Sequence, residues 1–293
     1  PTAFQGLTIQ PLLDPTADPI DWLSLDEALA DGSALVTEIS DGGSVPQLCF
    51  DNRGTSPVLL LDGEELVGAK QNRILNLTLL VPAKTTLEIP VSCVEQGRWS
   101  HRTREFASAE RTFFSKGRAR KARRVSENLR DWGDRHSDQG EVWNDISCKM
   151  ASMEVASSTH AIADAYEHFS GSLEEYVAAF NTSDTQVGAC FSINGKIRGV
   201  ELFDVSATCA KLMPKLIRSY ALDAIEERQD AAANDAQSIT DFIQAVATAP
   251  ADSFKALGEG DDLRIRSSSI TGGALAAHDR VVHLCAFSAN SEA

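Results

Sequence analysis

The chain has 293 residues, with 42 acidic against 27 basic side chains and a formal charge of −15. Hydrophobic residues make up 43% and charged residues 24%, which excludes general disorder and leaves ample interior for a core. No apolar run reaches the roughly 18–20 residues of a membrane span, and the first residues lack the basic start and apolar stretch of a signal peptide, so a cytoplasmic protein without a membrane partner is expected.

Extended segments come first. Residues 34–39 and 47–50 flank Asp41-Gly42-Gly43, which predicts a hairpin. Residues 57–61 run into Asp62-Gly63 and residues 66–69 return, predicting a second hairpin. Strands are expected over 73–81 and 86–94, separated by the turn at Pro82-Ala83-Lys84. Short strands at this spacing predict a sandwich or a strongly bent sheet. Helical periodicity then takes over at 126–132 and 141–169, with Val142, Ile146, Met150 and Met153 forming one apolar stripe. The stretch 132–140 between them is polar and turn-rich. Residues 187–193 and 197–203 flank Asn194-Gly195 and predict a hairpin; helices follow at 206–230 and 238–247, and strands at 262–267, 269–276 and 280–287. The fold class is therefore α+β in one large domain over 1–293. Within it, 1–115 reads as a β-rich sheet or sandwich, 116–185 as a basic and helical segment, and 186–293 as a hairpin–helix–strand unit. The likeness of 58–68 to 190–199, each a strand, an Asx-Gly turn and a returning strand, raises an internal duplication as an expectation.

Between Arg98 and Arg130 lie eleven basic residues against three acidic ones, a local charge of +8 that leaves −23 on the rest of the chain. The densest part, Lys116 to Arg124, could attract nucleic acid or a phosphoprotein. The alternative, favoured by so acidic a chain, is pairing with its own acidic remainder or with a sister subunit in a homo-oligomer. The six cysteines are dispersed with no C-x-x-C pair, which reads as reduced thiols in the core rather than a disulfide or zinc framework. No metal site and no cofactor is assigned. His283 and Cys285 share a strand face and read as core residues.

The most informative stretch follows Asp62-Gly63. Lys70, Gln71, Asn72 and Arg73 interrupt an apolar neighbourhood, with Lys70 and Asn72 expected on one side of an extended chain and Gln71 and Arg73 on the other. Either one face meets solvent or the strand lines a polar pocket. A second cluster, Cys93-Val94-Glu95-Gln96-Gly97-Arg98-Trp99, puts Cys93 and Glu95 on one strand face and a guanidinium beside an indole. If the two stretches fold against each other, they form a single cationic pocket.

These two stretches, with the run from Leu61 to Asn76 and further pieces at Glu141-Val142-Trp143, Ile193-Asn194-Gly195, Gly199 to Phe203 and His283-Leu284, resemble the ARG and rhodanese-phosphatase-superfamily-associated protein domain over nearly the whole chain. The resemblance implies work on ADP-ribose or another NAD-derived nucleotide, a small-molecule ligand for which hydrolysis is one outcome and non-catalytic binding the alternative. On that reading Lys70 and Arg98 serve a pyrophosphate, Gln71 and Asn72 the ribose hydroxyls, and Trp99 the base, with Arg73 a further ligand-binding residue. Glu64 or Glu95 would act as general base and Cys93 as an alternative nucleophile. The carboxylate route ranks first, because no His neighbours Cys93 in sequence.

Overall fold

The computed structural model describes residues 1–16, 22–227 and 236–289. The chain opens with strands β1 (Thr2–Phe4), β2 (Leu7–Leu13) and β3 (Leu23–Ser24), the short helix α1 (Leu25–Ala30), and strands β4 (Ala34–Thr37) and β5 (Gln47–Asn52). It continues through β6 (Val58–Leu60), β7 (Glu64–Gly68), β8 (Arg73–Leu75), β9 (Leu79–Val81), β10 (Thr85–Cys93) and β11 (Phe106–Thr112). Four helices follow: α2 (Ser115–Trp132), α3 (Gln139–Ser152), α4 (Ile162–His168) and α5 (Ser170–Ala179). The last third holds β12 (Gln186–Ile193), β13 (Lys196–Phe203), α6 (Ser206–Glu226), α7 (Ala236–Thr248), β14 (Ala251–Lys255), β15 (Asp261–Arg266), β16 (Ile270–Ala277) and β17 (Arg280–Ser288). The fold is α+β. Of the helix expected over 206–230, residues 228–230 lie outside the described residues.

The strands form three sheets. The largest runs β1-β2-β12-β13-β17-β16-β15-β14, so the first strands of the chain join the sheet built by its last third. The second runs β11-β7-β8-β10-β5-β4, and an isolated bridge between Thr37 and Glu105 brings its two edges together into a strongly bent sheet. The third is the small sheet β3-β6-β9. Helix α6 buries Leu212, Leu216 and Tyr220 in the main core with Phe191, Phe203 and Phe287 of the large sheet. A second core, including Val36, Leu48, Phe50, Leu66 and Leu75, fills the bent sheet.

The expected hairpins at 34–50 and 187–203 form as β4/β5 and β12/β13. The expected hairpin at 57–69 does not. Gly63 does turn the chain (φ 79°), but β6 pairs with β3 and β9 while β7 pairs with β8 and β11. The turn is diverted because Asp62 binds Arg118 and Lys121, and the Arg118 side chain lies where a Cβ on Gly63 would sit, 2.9 Å from its Cδ. The likeness between 58–68 and 190–199 is thus one of turn chemistry, since only the second is a hairpin. The segment expected as one strand over 73–81 is two strands, β8 and β9, in different sheets.

The basic block is likewise corrected. It forms the first turns of α2, whose helix begins at Ser115 rather than after the block. Ala119, Ala122 and the long unbranched Arg and Lys side chains all favour helix, and Gly133 ends it in the left-handed conformation at φ 70°. Its charge is spent inside the protein. Arg118 (0% exposed) clamps Glu201 with both terminal nitrogens, and Lys121 (1%) binds Asp62 at 2.5 Å and the carbonyls of Leu75 and Asn76. Arg120 pairs with Asp145, Arg124 with Glu141 and Glu127, and Lys116 with Glu227. Pairing with the acidic remainder of its own chain is what the cations of this helix show.

Candidate functional site

Three strand-end turns build the site. Gly68 leaves β7 at φ 129°, where a Cβ would lie 2.5 Å from the Thr103 hydroxyl and 2.7 Å from the Glu105 carbonyl, so the close approach requires glycine. Ala69 follows at φ 37°, and the chain coils through Lys70–Asn72 instead of extending as expected. All four polar residues are buried: Lys70 9%, Gln71 5%, Asn72 4% and Arg73 0% exposed. Re-entering the sheet, Arg73 lies directly opposite Cys93 in the antiparallel register of β8 and β10, which puts guanidinium and thiol on one face about 5 Å apart at their Cβ atoms.

The loop after β10 folds back over this turn. Arg98 (6% exposed) donates to the carbonyls of Ala69 (2.6 Å), Gly68 (3.2 Å) and Ser100 (2.9 Å), to Asn72 Oδ1 (3.2 Å) and to Glu95 Oε2 (2.6 Å). Lys70 Nζ donates to the carbonyls of Asp41 and Gly42, 2.6 Å each. Trp99, 48% exposed, has Lys70 Nζ at 5.3 Å and the Arg73 guanidinium carbon at 5.8 Å from its ring centroid, both cations held by its face. The two polar stretches therefore converge, with Arg98 from the loop after β10 meeting the turn that carries Lys70.

Within this cluster the groups differ in how far they are already engaged. Asn72 donates to Glu65 and takes Glu95 on its backbone N–H. Gln71 donates to the Glu95 carbonyl, while its Oε1 accepts from Arg73 Nη1 (3.1 Å) and from the Cys93 thiol (3.2 Å). Glu95 also accepts from Thr159 and faces Arg102 at 3.5 Å. Burial pushes its carboxyl up, but the Arg98 bond, the Asn72 N–H and the two guanidinium charges outweigh it and hold the group below its ordinary value. Arg98 Nε has no partner, and Arg73 is less engaged still. Its Nε and Nη2 are buried with no hydrogen-bond partner, and one oxygen of the nearby Glu38 is in the same condition. Burial lowers the Arg73 pKa, against the pull of Cys93, Glu38 and Glu95. Burial likewise raises the Cys93 thiol above its ordinary value, with Arg73 the largest opposing influence.

Glu64 is elsewhere. It begins β7, at the far end from the Lys70 turn, where it binds Lys215 of α6 (2.6 Å) and the Leu61 N–H, and burial raises its carboxyl despite Lys215. Conversely, other contributors come from segments that nothing in the sequence links to this cluster. Glu38 and the Asp41–Gly43 loop arrive from between β4 and β5. Gln139, from the start of α3, locks the backbone of Cys93 with a pair of bonds at 2.8 and 2.9 Å. Trp143, one turn along α3, lies near the Cys93 thiol and lowers its pKa, while its indole N–H is buried without a hydrogen-bond partner. Nothing in the spacing of Gln139 connects it to Cys93, 46 residues earlier.

Among the described residues, no cluster of three or more His, Cys, Asp or Glu residues is arranged to hold a metal ion, and no helix is long and apolar enough to cross a membrane. No curated protein and no solved structure matches the chain. The model of one family, described as the ARG and Rhodanese-Phosphatase-superfamily-associated Protein domain, matches residues 1–287, and the chain belongs to that family.

Proposed function

We propose that this family member binds a nucleotide of the ADP-ribose or NAD-derived class at the Arg73–Cys93–Trp99 cluster. One observation carries the reading: Arg73 is fully buried yet keeps two donor nitrogens, Nε and Nη2, without partners. Such donors are costly in an interior unless something polar meets them, and a guanidinium edge matches two oxygens of a phosphate. Lys70 and Arg98 act on that ligand by shaping the turn, since Lys70 Nζ and the Arg98 Nη atoms are taken by carbonyls, Asn72 and Glu95. Trp99 rests its ring over the two cations and is half-exposed, so its movement opens the guanidinium and offers an aromatic face to the base.

A second reading, turnover rather than binding alone, is favoured by the placement of Cys93 across the strand pair from Arg73. With Glu64 away from the cluster and Glu95 held as a low-pKa carboxylate, the nucleophile within the cluster is the Cys93 thiol; burial raises its pKa, so its activation rests on Arg73, the largest opposing influence. Sulfur would bond to the phosphorus held by Arg73 as the P–O bond to the leaving group breaks and that oxygen takes the thiol proton; water would then cleave the S–P bond, leaving the phosphate product and restoring the thiol.

The test is a thermal shift with ADP-ribose and NAD. A ligand at a hundredfold excess over its dissociation constant stabilises by about 2.7 kcal/mol. Arg73→Met is expected to abolish the shift while leaving unliganded melting unchanged or raised, because an incompletely paired buried charge gives way to an apolar chain of similar length. A full ligand shift in that variant would remove Arg73 from the site. Loss of product formation in Cys93→Ser, with the shift retained, would establish the second reading.

A further inference from the structure

A second site lies where β11 bulges away from β7. Between the paired positions Ser108–Leu66 and Thr112–Glu64, the residues Ala109, Glu110 and Arg111 stand against Glu65 alone. The surplus length is taken up at Glu110, whose φ of 53° lies in the left-handed region that residues other than glycine rarely adopt. Its neighbours hold it there: the N–H donates to Ser108 Oγ (3.2 Å), and the carbonyl accepts from Arg218 Nη1 (3.3 Å). Arg218 is itself fixed by two bonds to Glu174 of α5. The bulge leaves a hollow against α4 and α5, lined by Glu110, Arg111, Tyr166, Glu167, Leu173 and Arg218 among others. It offers about 170 Å³, room for a small molecule rather than for one or two waters.

Arg111 is anchored from behind. Its Nε donates to Glu65 Oε2 at 2.6 Å, and the buried Glu65 is held in turn by the Asn72 amide. The guanidinium carbon stands 5.1 Å from the centre of the Tyr166 ring, whose hydroxyl is tied to the Thr112 carbonyl at 2.7 Å. These contacts orient the fork and leave Nη1 and Nη2 without a hydrogen bond among the described residues. On the same hollow, the exposed Glu167 acts on the Arg111 charge without reaching ion-pair distance. Among the described residues, the side-chain carboxylates of Glu110 and Glu167 have no hydrogen-bond or ion-pair partner. The hollow therefore presents a two-pronged donor and two unpaired carboxylates, with apolar wall from Leu173 and the Tyr166 ring.

We infer that this hollow binds a free α-amino acid with a small neutral side chain. Its carboxylate takes the two terminal nitrogens of Arg111 as a bidentate pair. Its ammonium donates to Glu167 and Glu110, and its side chain lies against Leu173. A zwitterion is the class because it alone answers both sets of charges. Inorganic phosphate or a nucleotide brings only negative charge to Glu110 and Glu167, and an amine without a carboxylate leaves the Arg111 fork unmatched. A peptide terminus has one of the two charges but not both on the same residue. The side chain is neutral because the remaining ions of the hollow, Arg218 and Glu174, already pair with each other.

The experiment is calorimetric titration of the full chain with L-alanine, L-serine and L-valine, and with propionate and ethylamine, which each carry one of the two charges. At least one amino acid is expected to bind, with propionate and ethylamine roughly tenfold weaker or worse. Glu167→Gln, at an exposed position, is expected to weaken amino-acid binding roughly tenfold without moving the unliganded melting temperature. Arg111→Lys keeps a cation for Glu65 but loses the fork, and a similar or larger loss is expected. Failure of all three amino acids to bind at millimolar concentration overturns the inference, as does propionate binding as tightly as they do. Binding that survives unchanged in both variants comes from another part of the molecule and overturns it too. Nucleotide binding at the Arg73 cluster is read separately, since neither variant removes a residue assigned to that ligand.

Discussion

Arg73 and Asp204 show how differently a buried charge behaves according to its neighbours. Arg73 keeps its charge near Cys93, Glu38 and Glu95. Asp204, between β13 and α6, is almost unexposed, and Arg280 reaches it only at 4.0 Å, so burial pushes its carboxyl up to about 6. An acid whose folded pKa lies above its unfolded value near 3.9 binds its proton more tightly when folded. It therefore favours folding most below about pH 4, and that contribution is lost as pH rises towards 6. Asp204→Asn is expected to remove this slope and to stabilise the protein at pH 7 by on the order of 2–3 kcal/mol. Urea unfolding of both proteins across that pH range checks it; a parallel pH dependence in the two would contradict the assignment. Arg98 is a different case, because its removal strands the Glu95 carboxylate in the interior, so it probes the turn rather than ligand contact. At this scale the sequence reveals which residues gather, since polar side chains in an apolar stretch need partners. It does not reveal which are satisfied: Arg73 and Arg98 look alike as letters, and only the carbonyls of Gly68, Ala69 and Ser100 distinguish them.

The elements most legible in the sequence are those governed by local chemistry, such as the β12/β13 hairpin at Asn194-Gly195, where Asn194 takes φ 49° and Gly195 φ 74°. The least legible is the stretch around Gly63, where the same kind of turn is overridden by α2 reaching in with Arg118 and Lys121. Helix α2 itself was hidden because a dense run of charge reads as surface, whereas here two of its cations are interior. Its packing is tight enough to test. Gly117 faces Phe113, and a Cβ there would lie 2.3 Å from the ring. Alanine gains about 1 kcal/mol of helix propensity over glycine, but overpacking costs about 1–3 kcal/mol. Gly117→Ala is therefore expected to be destabilising on balance, by about 1–2 kcal/mol in urea unfolding. A stabilised variant would mean that Phe113 yields freely.

Across the whole molecule, the excess of acidic residues that looks like a surface property is partly an internal one, since Asp62, Glu201 and Asp223 are buried and neutralise Arg118, Lys121 and Lys149. The α+β class could be read from the order of strand and helix patterns; the pairing of sheets could not, because β2 has its partner in β12 and no local signal links residues so far apart. Deleting residues 1–13 is expected to bare the β12 edge, with its buried Val187, Ala189, Phe191 and Ile193, and to shift the protein into aggregates on size-exclusion chromatography. A monodisperse, folded deletion variant would show that β12 tolerates an open edge. The same pairing governs how the protein can be made. As the chain leaves the ribosome, β1 and β2 emerge long before β12, the strand that receives them, which is synthesised only after all of α2 to α5. Leu7 and Ile9 must wait in the nascent chain until then, which makes translation speed and chaperone access, rather than the turn at Gln5-Gly6, the factors that decide whether the large sheet closes correctly.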